Sequence, residues 1–432
     1  MVLVLVAVAP AALGATTHND DGCDIGNAPA ATLLLPFFEV SMDGPVHHTT
    51  IFTLTNVTDT ARVARVTLWT DYSYPVYTFN VYLTGYDLQT INLHDVLHGR
   101  NTNRRFGTGE WVSVHGERTQ KNRELDDCGR IVDKIDPFQV DRMKIAFTEG
   151  VVPGCFSIGG DHENAIGYAT VDVVGNCGSA TPLEAEYFTE DIRFDNVLIG
   201  DYQQVGPEQD FAQGNPMVHI RAIGQLRNGR FVTNLPNTFY GRFQHPARPN
   251  ADGRQPLPST FAARWINGGQ GGFETSFKIW RQGVTTAAAA CKDYQFNGAL
   301  ALTESVVFDE DDNGVGAAKF ECDFCNPPIG DGTIFLPSTS LKSIIDTDVF
   351  PQELIGTETA GWVYLNLRGD PARAPTPLQA WVVVSMRAEG RYSVDLDAAS
   401  LGNGCSIAPV VTEFSKQGMM GVLPGPAPDL LP

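Results

Sequence analysis

The stretch Thr50 to Trp69, TIFTLTNVTDTARVARVTLW, sets the terms for the fold. Alternation places Ile51, Thr53 and Thr55 on one side and Phe52 and Leu54 on the other, the period-two signature of a half-buried strand. Asn56 to Thr60 supply turn chemistry, and Val63 to Trp69 resume an apolar-rich strand. A later stretch, Phe261 to Trp280, FAARWINGGQGGFETSFKIW, follows the same plan, with Asn267 and glycines in the turn. Trp69 lies thirteen positions after Asn56, and Trp280 lies thirteen positions after Asn267. The match predicts a tandem duplication of an all-β unit, with Trp69 and Trp280 at equivalent core positions.

Two further pairs of segments recur in the same order. Gly361 to Leu367, GWVYLNL, mirrors Gly167 to Val173, GYATVDV, and Ser385 to Ala388 mirrors His219 to Ala222. Unequal spacing between these landmarks is what loops of varying length produce. Leu33 to Val40, LLLPFFEV, reads as a strand that Pro36 confines to an edge or a bulge. His94 to Gly99 reads as one helical turn stopped by glycine. Trp111 to Val114 is a strand-like island in an otherwise irregular, charged stretch, and Thr285 to Ala290 is a short helical candidate. Helical patterning is otherwise scarce. Short alternating strands separated by Gly, Pro, Asn and Asp predict an all-β chain: two tandem antiparallel β-sandwich domains, immunoglobulin-like in architecture, with long loops. Asn234 to Pro258, rich in Pro, Asn, Gly and Arg, is read as a linker or an inter-domain excursion. The expected organisation is a signal-like segment at 1–15, a first sandwich at 16–235, a second at 236–410 and a Pro-rich tail at 411–432.

A chain of 432 residues, 43% hydrophobic and 19% charged, is long enough to bury two ordinary cores. Its net charge of −20 argues against a phosphate-binding or anionic-membrane surface, so nucleic acid is not an expected partner. The basic spot at Arg100, Arg104 and Arg105 reads as a solvated turn. MVLVLVAVAPAALGA at the N-terminus resembles a secretory apolar region ending in small residues, without a basic start. It is too short to cross a bilayer comfortably, and no other segment reads as a transmembrane helix. The eight cysteines, Cys23, Cys128, Cys155, Cys177, Cys291, Cys322, Cys325 and Cys405, divide four and four across the duplication. Even numbers in each half predict two disulfides per half, as an oxidising compartment allows, with pairing undetermined. Cys322 to Cys325 is also weighed as a metal or redox pair, and lacks the second Cys-x-x-Cys or His pair that zinc wants.

The sharpest chemical motif is Asp309-Glu310-Asp311-Asp312-Asn313-Gly314. Calcium takes six to eight oxygen ligands, and Asp309, Asp311 and Asn313 reproduce the first half of a calcium loop, whose closing acid is missing because the twelfth position is Phe320. A solvated acidic hairpin turn competes with that reading. No catalytic residue is assigned. Gly154 to Gly159 resembles a nucleophile elbow only superficially, Asp161 and His162 read as loop residues, and His94 with His98, like His47 with His48, reads as a partly exposed pair. Gly268 to Gly272 lacks the strand-to-helix context and lysine of a phosphate loop.

The phrases TLLLPFFEV, TLTNVTDTARVARVTLWTD, YLTGYDLQTINLHDVL, NVLIGDYQQV and FAQGNPMVHIRAI resemble those of a group of uncharacterised secreted bacterial proteins, over most of the mature chain. The resemblance implies a secreted bacterial β-protein and brings no activity, ligand or site residue. Two expectations follow: a secreted structural or interaction protein that binds a protein partner or itself, and a carbohydrate-binding or carbohydrate-active protein supported by calcium at Asp309, Asp311 and Asn313.

Overall fold

The computed structural model describes residues 26–43, 46–99, 135–156, 158–207, 211–227, 230–232, 235, 237–243, 252–283, 300–316, 335–347, 349–369, 378–388 and 391–401. The signal-like segment, the Pro-rich tail, Trp111 to Val114, Thr285 to Ala290, the basic spot and all cysteines except Cys155 and Cys177 lie outside these residues.

The protein is all-β, built on four antiparallel sheets. The first unit contributes β1 (Thr32–Val40), β2 (Thr49–Asn56), β3 (Arg62–Thr70), β4 (Pro75–Leu83), β5 (Leu88–Asn92), β6 (Ala165–Val174), β7 (Leu198–Gly206), β8 (Phe211–Pro216) and β9 (Val218–Ile220). The second contributes β10 (Thr260–Ile266), β11 (Phe273–Arg281), β12 (Glu304–Asp309), β13 (Gly314–Gly316), β14 (Thr339–Ser343), β15 (Ala360–Asn366), β16 (Ala380–Ala388), β17 (Tyr392–Asp397) and β18 (Ala399–Ser400). Two-stranded ribbons join Gln225–Arg227 to Arg230–Val232 and Leu300–Ala301 to Phe335–Leu336. The first unit's sheets run β4-β3-β6-β1-β9 and β5-β2-β7-β8; the second unit's run β13-β12-β15-β10-β18 and β14-β11-β16-β17. Adding nine to each label of the first unit reproduces the second. The same nine-strand arrangement therefore occurs twice. Its order differs from the immunoglobulin one, in which the first strand shares a sheet with the second, fourth and fifth; here β1 lies with β3, β4 and β6.

This order resets the correspondences that spacing suggests. Thr50 to Trp69 is β2 with β3, whereas Phe261 to Trp280 is β10 with β11, one strand out of step. Trp69 and Trp280 are both buried, as expected of core residues, but are not equivalent. They meet within one core, each against the Tyr168 ring, at 5.7 Å and 5.9 Å between centroids. His219 to Ala222 and Ser385 to Ala388 likewise fall on non-equivalent strands, β9 and β16. The glycine pair does correspond. Gly167 faces Phe38 on β1 and Thr70 on β3, and Gly361 faces Trp265 on β10 and Asp309 on β12. A Cβ at Gly167 would overlap the Trp69 carbonyl and come 2.8 Å from the Phe38 ring; at Gly361 it would overlap the Phe308 carbonyl and come 2.9 Å from Trp265 Nε1. Each glycine is needed because an aromatic ring from the first strand lies across the central strand.

The sheets stack in four layers. Leu33, Leu35, Val66, Leu68, Ala169 and Val171 of the first five-stranded sheet pack against Phe52, Leu54 and Tyr202 of the first four-stranded sheet. Alternate residues Leu34, Val63, Trp69, Tyr168 and Val174 point the other way, into a core shared with the second unit. That core takes Trp280 and Trp381, and continues through Phe277, Ile279, Val382 and Val384 to Phe261, Trp265, Val363 and Leu365 of the second five-stranded sheet. The two inner sheets are thus buried on both faces, at roughly 1.5–3 kcal/mol for each large apolar side chain removed from water. This explains the run LLLPFFEV: β1 is a central strand, and Pro36 sits at a register shift between Leu35 and Phe38, the bulge expectation. Two-sided burial gives near-continuous apolar runs in place of alternation.

Two helices, one long and one the single turn Gln352–Ile355, were not expected from the sequence. α1 (Leu93–Leu97) is the expected turn before Gly99, but α2 (Pro137–Thr148) was unforeseen. Asp136 caps it, accepting from Phe138 N at 3.0 Å, and Pro137 opens its first turn. Met143, Ala146 and Phe147 are buried from it, an i, i+3, i+4 spacing present in the sequence.

The described residues of the 234–258 stretch, 235, 237–243 and 252–258, lie across the first unit. Asp252, Arg254 and Gln255 are fully buried. Arg254 donates to Thr32 Oγ1, to Asp252 Oδ1 at 3.2 Å and to the Arg193 carbonyl at 2.9 Å, with Asp172 at 3.5 Å. Asp172 also accepts from Thr32, from Tyr187 at 2.5 Å and from Tyr240 at 2.7 Å. Burial raises the Asp252 carboxyl above its ordinary range, with the Arg254 charge opposing. Replacing Arg254 by Met leaves two buried carboxyls without their cation and should cost about 3–5 kcal/mol. The raised carboxyl contributes stability at low pH that is lost as pH rises through its folded value. Denaturant unfolding should therefore show a smaller loss at pH 5 than at pH 8, and an equal loss at both would refute this account.

Candidate functional site

The acidic motif forms the turn between β12 and β13. Asp309 Oδ1 accepts from Asp311 N at 2.9 Å and Asn313 N at 2.8 Å, and Oδ2 accepts from Asn313 Nδ2 at 2.8 Å. The Asn313 amide comes first among the causes that hold the Asp309 carboxyl below its ordinary range, and the two backbone N–H groups add to it. Asp312 has φ +62°. Its carboxylate accepts from Trp362 Nε1 at 2.9 Å, and the Trp362 ring stacks on Phe308, 3.8 Å apart and 4° from parallel.

The turn between β3 and β4 has the same construction without the acids. Thr70 Oγ1 accepts from Tyr72 N at 3.3 Å and Tyr74 N at 3.1 Å, as Asp309 does from Asp311 and Asn313. Ser73 has φ +62°, as Asp312 does. Tyr168 OH donates to Ser73 Oγ at 2.8 Å, as the Trp362 indole does to Asp312. Tyr168 also stacks on Trp69, 2° from parallel. A side-chain oxygen closing the turn, a left-handed third residue and an aromatic tether from the central strand form one device used twice. The hairpin reading of the motif has this structural counterpart. A calcium ion would have to draw Asp309 away from three hydrogen bonds and turn the Asn313 amide around.

The two copies differ in what covers them. The first aromatic pair is buried beneath Phe239, Phe243 and Trp280. The second lies on the outer face of the second five-stranded sheet, with Val306, Tyr364 and Leu401 around it. Trp362 there is half-buried, and Arg264, which faces it from β10, has an 81% exposed side chain 3.7 Å from Glu310. Among the described elements, no strand or helix packs broadly across this face.

Other candidates are placed plainly. His162 Nε2 lies 3.0 Å from Asp71 Oδ2, and Gly160 N donates to Asp71 Oδ1 at 3.0 Å, so this His–Asp pair holds a loop against the β3–β4 turn. Asp161 and His162 read from the sequence as loop residues, and nothing local points to Asp71, 91 residues away. Ser157 lies outside the described residues. His94 and His98 stack at 3.9 Å at the end of α1, and the His98 ring contacts the His94 and Met42 carbonyls. Gly268 to Gly272 form the turn between β10 and β11. Cys155 and Cys177 are disulfide-bonded. Among the described residues, no group of three or more His, Cys, Asp or Glu side chains is arranged to hold a metal ion, and no helix is long and apolar enough to cross a membrane.

No protein-family model, curated protein or solved structure matches the chain.

Thermal unfolding distinguishes the turn device from other roles of Asp309. Asp309→Thr, which installs the residue found at Thr70, should retain the melting temperature at neutral pH, whereas Asp309→Ala should lower it. A carboxyl depressed in the folded state contributes stability that is lost as pH falls through its folded value, so Asp309→Thr should also flatten the acid limb below about pH 4.

Proposed function

We propose that the chain is a secreted structural or interaction protein of two tandem β-sandwich units, working through its sheet faces and without a catalytic centre. The observation that carries this reading is the outer face around Trp362. Its positional counterpart in the first unit is occupied by other parts of the same chain, while its own described surroundings leave a half-buried indole beside an exposed guanidinium. Aromatic and Arg side chains are the types most enriched at the energetic centres of protein interfaces. The disulfide-bonded state of Cys155 and Cys177 supports an oxidising compartment, and through it secretion and the signal-like role of residues 1–15. The net charge of −20 supports protein or neutral partners over nucleic acid.

A second reading, glycan binding, is favoured by one feature of the same face. An indole fixed by Asp312 and flanked by Arg264 and Glu310 offers a sugar a stacking plane with polar groups at its rim. Calcium at Asp309, Asp311 and Asn313 belongs to this reading as its support.

A glycan array with calcium or chelator, run beside a self-association assay on the purified protein, tests both. Binding in either assay should weaken about tenfold or more in Trp362→Ala, the loss of roughly 1.4 kcal/mol or more that marks an interface centre. Silence of the wild-type protein in both assays would remove the interaction reading. Chelator-insensitive glycan binding would remove calcium from the second.

A further inference from the structure

We propose that Lys278 and Asp395 condense into an intramolecular amide, a covalent cross-link between β11 and β17 at the place where the two units meet. Nζ of Lys278 becomes bonded to Cγ of Asp395, and one water leaves.

Strand register brings the two groups together. On the face that carries Lys278, β11, β16 and β17 set Ser276, Ser385 and Asp395 in one row and Lys278, Val383 and Asp397 in the next. Lys278 reaches across β16 to the carboxylate one row over, and Nζ donates directly to Oδ2. The two side chains are 2% and 0% exposed. The first unit closes over them. The Tyr202 ring of β7 lies 5.8 Å from Nζ, while Gln213 and Asn215 of β8 donate to the Val394 carbonyl and the Asp397 carboxylate on either side of Asp395. Bulk water, which would hold an amine and a carboxylate as a hydrated salt, is kept out.

Lysine sets this pair apart from the other buried ion pairs. Arg65 with Asp191 and Arg254 with Asp252 use a guanidinium, which keeps its proton. An amine that gives up its proton is a nucleophile. Of the lysines among the described residues, Lys144, Lys278 and Lys342, Lys278 alone is buried. Desolvation pulls its ammonium below the ordinary value, although Asp395 and Glu39 oppose that.

Both oxygens of Asp395 are engaged as the step requires. Oδ2 takes a proton from Nζ, which frees the nitrogen lone pair to attack Cγ. As the Nζ–Cγ bond forms, charge gathers on Oδ1, where Ser385 Oγ donates at 2.7 Å. Oδ2 then takes a second proton from Nζ and departs as water when the Cγ–Oδ2 bond breaks, and Oδ1 remains as the amide carbonyl. The Tyr202 hydroxyl is buried in the same place and has no hydrogen-bond partner among the described residues. Burial, with the charges of Asp395 and Asp397, raises it well above the ordinary phenol value, so it stays a donor beside the carboxyl. The product ties the edge strand β17 to the inner strand β11 where β8 of the first unit rests on that edge.

Tandem mass spectrometry of a tryptic digest tests this, on the full chain purified folded and then denatured, reduced and alkylated. Wild-type protein should yield a branched peptide, Trp265–Arg281 joined to Tyr392–Lys416, lighter by one water than the two together and uncut at Lys278. Fragment ions should place the branch between Lys278 and Asp395. Lys278→Arg should give only the separate peptides, and its intact mass should exceed that of the wild type by one water beyond the difference the substitution makes. Separate peptides from the wild-type protein, with Lys278 cleaved as a free lysine is, overturn the inference whether or not Lys278→Arg folds. A branch from Lys278 to any other acid overturns the pairing with Asp395.

Discussion

A fully buried guanidinium, that of Arg254, is the interaction on which the joining of the two units depends. The first five-stranded sheet carries Thr32, Arg65 and Asp172 on the face that meets the rest of the molecule, and a sheet face with charges cannot be buried without partners for them. Arg65 is paired with Asp191 and held by Asn80 and Asn176. Asp172 is met by Arg254, Tyr187 and Tyr240, two of which, Tyr240 and Arg254, come from the described parts of the 234–258 stretch. With these charges satisfied, Leu34, Trp69 and Tyr168 on the same face share one apolar core with the second unit. Burial raises the Tyr187 and Tyr240 phenols well above their ordinary values, which keeps both hydroxyls as donors to Asp172.

The same logic applies at Lys278, whose ammonium is buried against Asp395, with Ser385 donating to the carboxylate at 2.7 Å. Burial pulls the Lys278 ammonium below its ordinary value and Asp395 opposes that. Buried ion pairs of this kind contribute little net stability but fix which surfaces meet. The inner layers are therefore specified by polar contacts and stabilised by apolar ones. The outer faces carry no comparable ionic cluster among the described residues, so any partner they take is recognised by shape, aromatic area and a few rim charges.

The all-β class, strands such as β2, β3 and β6, the helical turn at His94 and the correspondence of Gly167 with Gly361 were legible in the sequence, because alternation and turn residues are local signals. The exact repeat register was not. Tryptophan fills any large core gap, so equal Asn-to-Trp spacing drew Trp69 and Trp280 together although they lie on different strands. The role of Arg254 was hidden because a stretch dominated by Pro, Asn and Gly looks like a loop whether it crosses solvent or a sheet face. The acidic motif was conspicuous by composition. Its counterpart TDYSY at Thr70 to Tyr74 was not, since a threonine hydroxyl and an aspartate carboxylate serve one turn with unlike residues.

The central claim is that one nine-strand unit occurs twice, with its five-stranded sheet packed between two other sheets in the first copy and, among the described elements, against one in the second. Amide hydrogen exchange of the dilute, monomeric protein tests it most directly, since protection follows the depth and cooperativity of burial. The account predicts that β1 and β6 exchange slowest of all, and that their counterparts β10 and β15 exchange measurably faster. Equal protection of the two pairs, or slower exchange in β10 and β15, would contradict it.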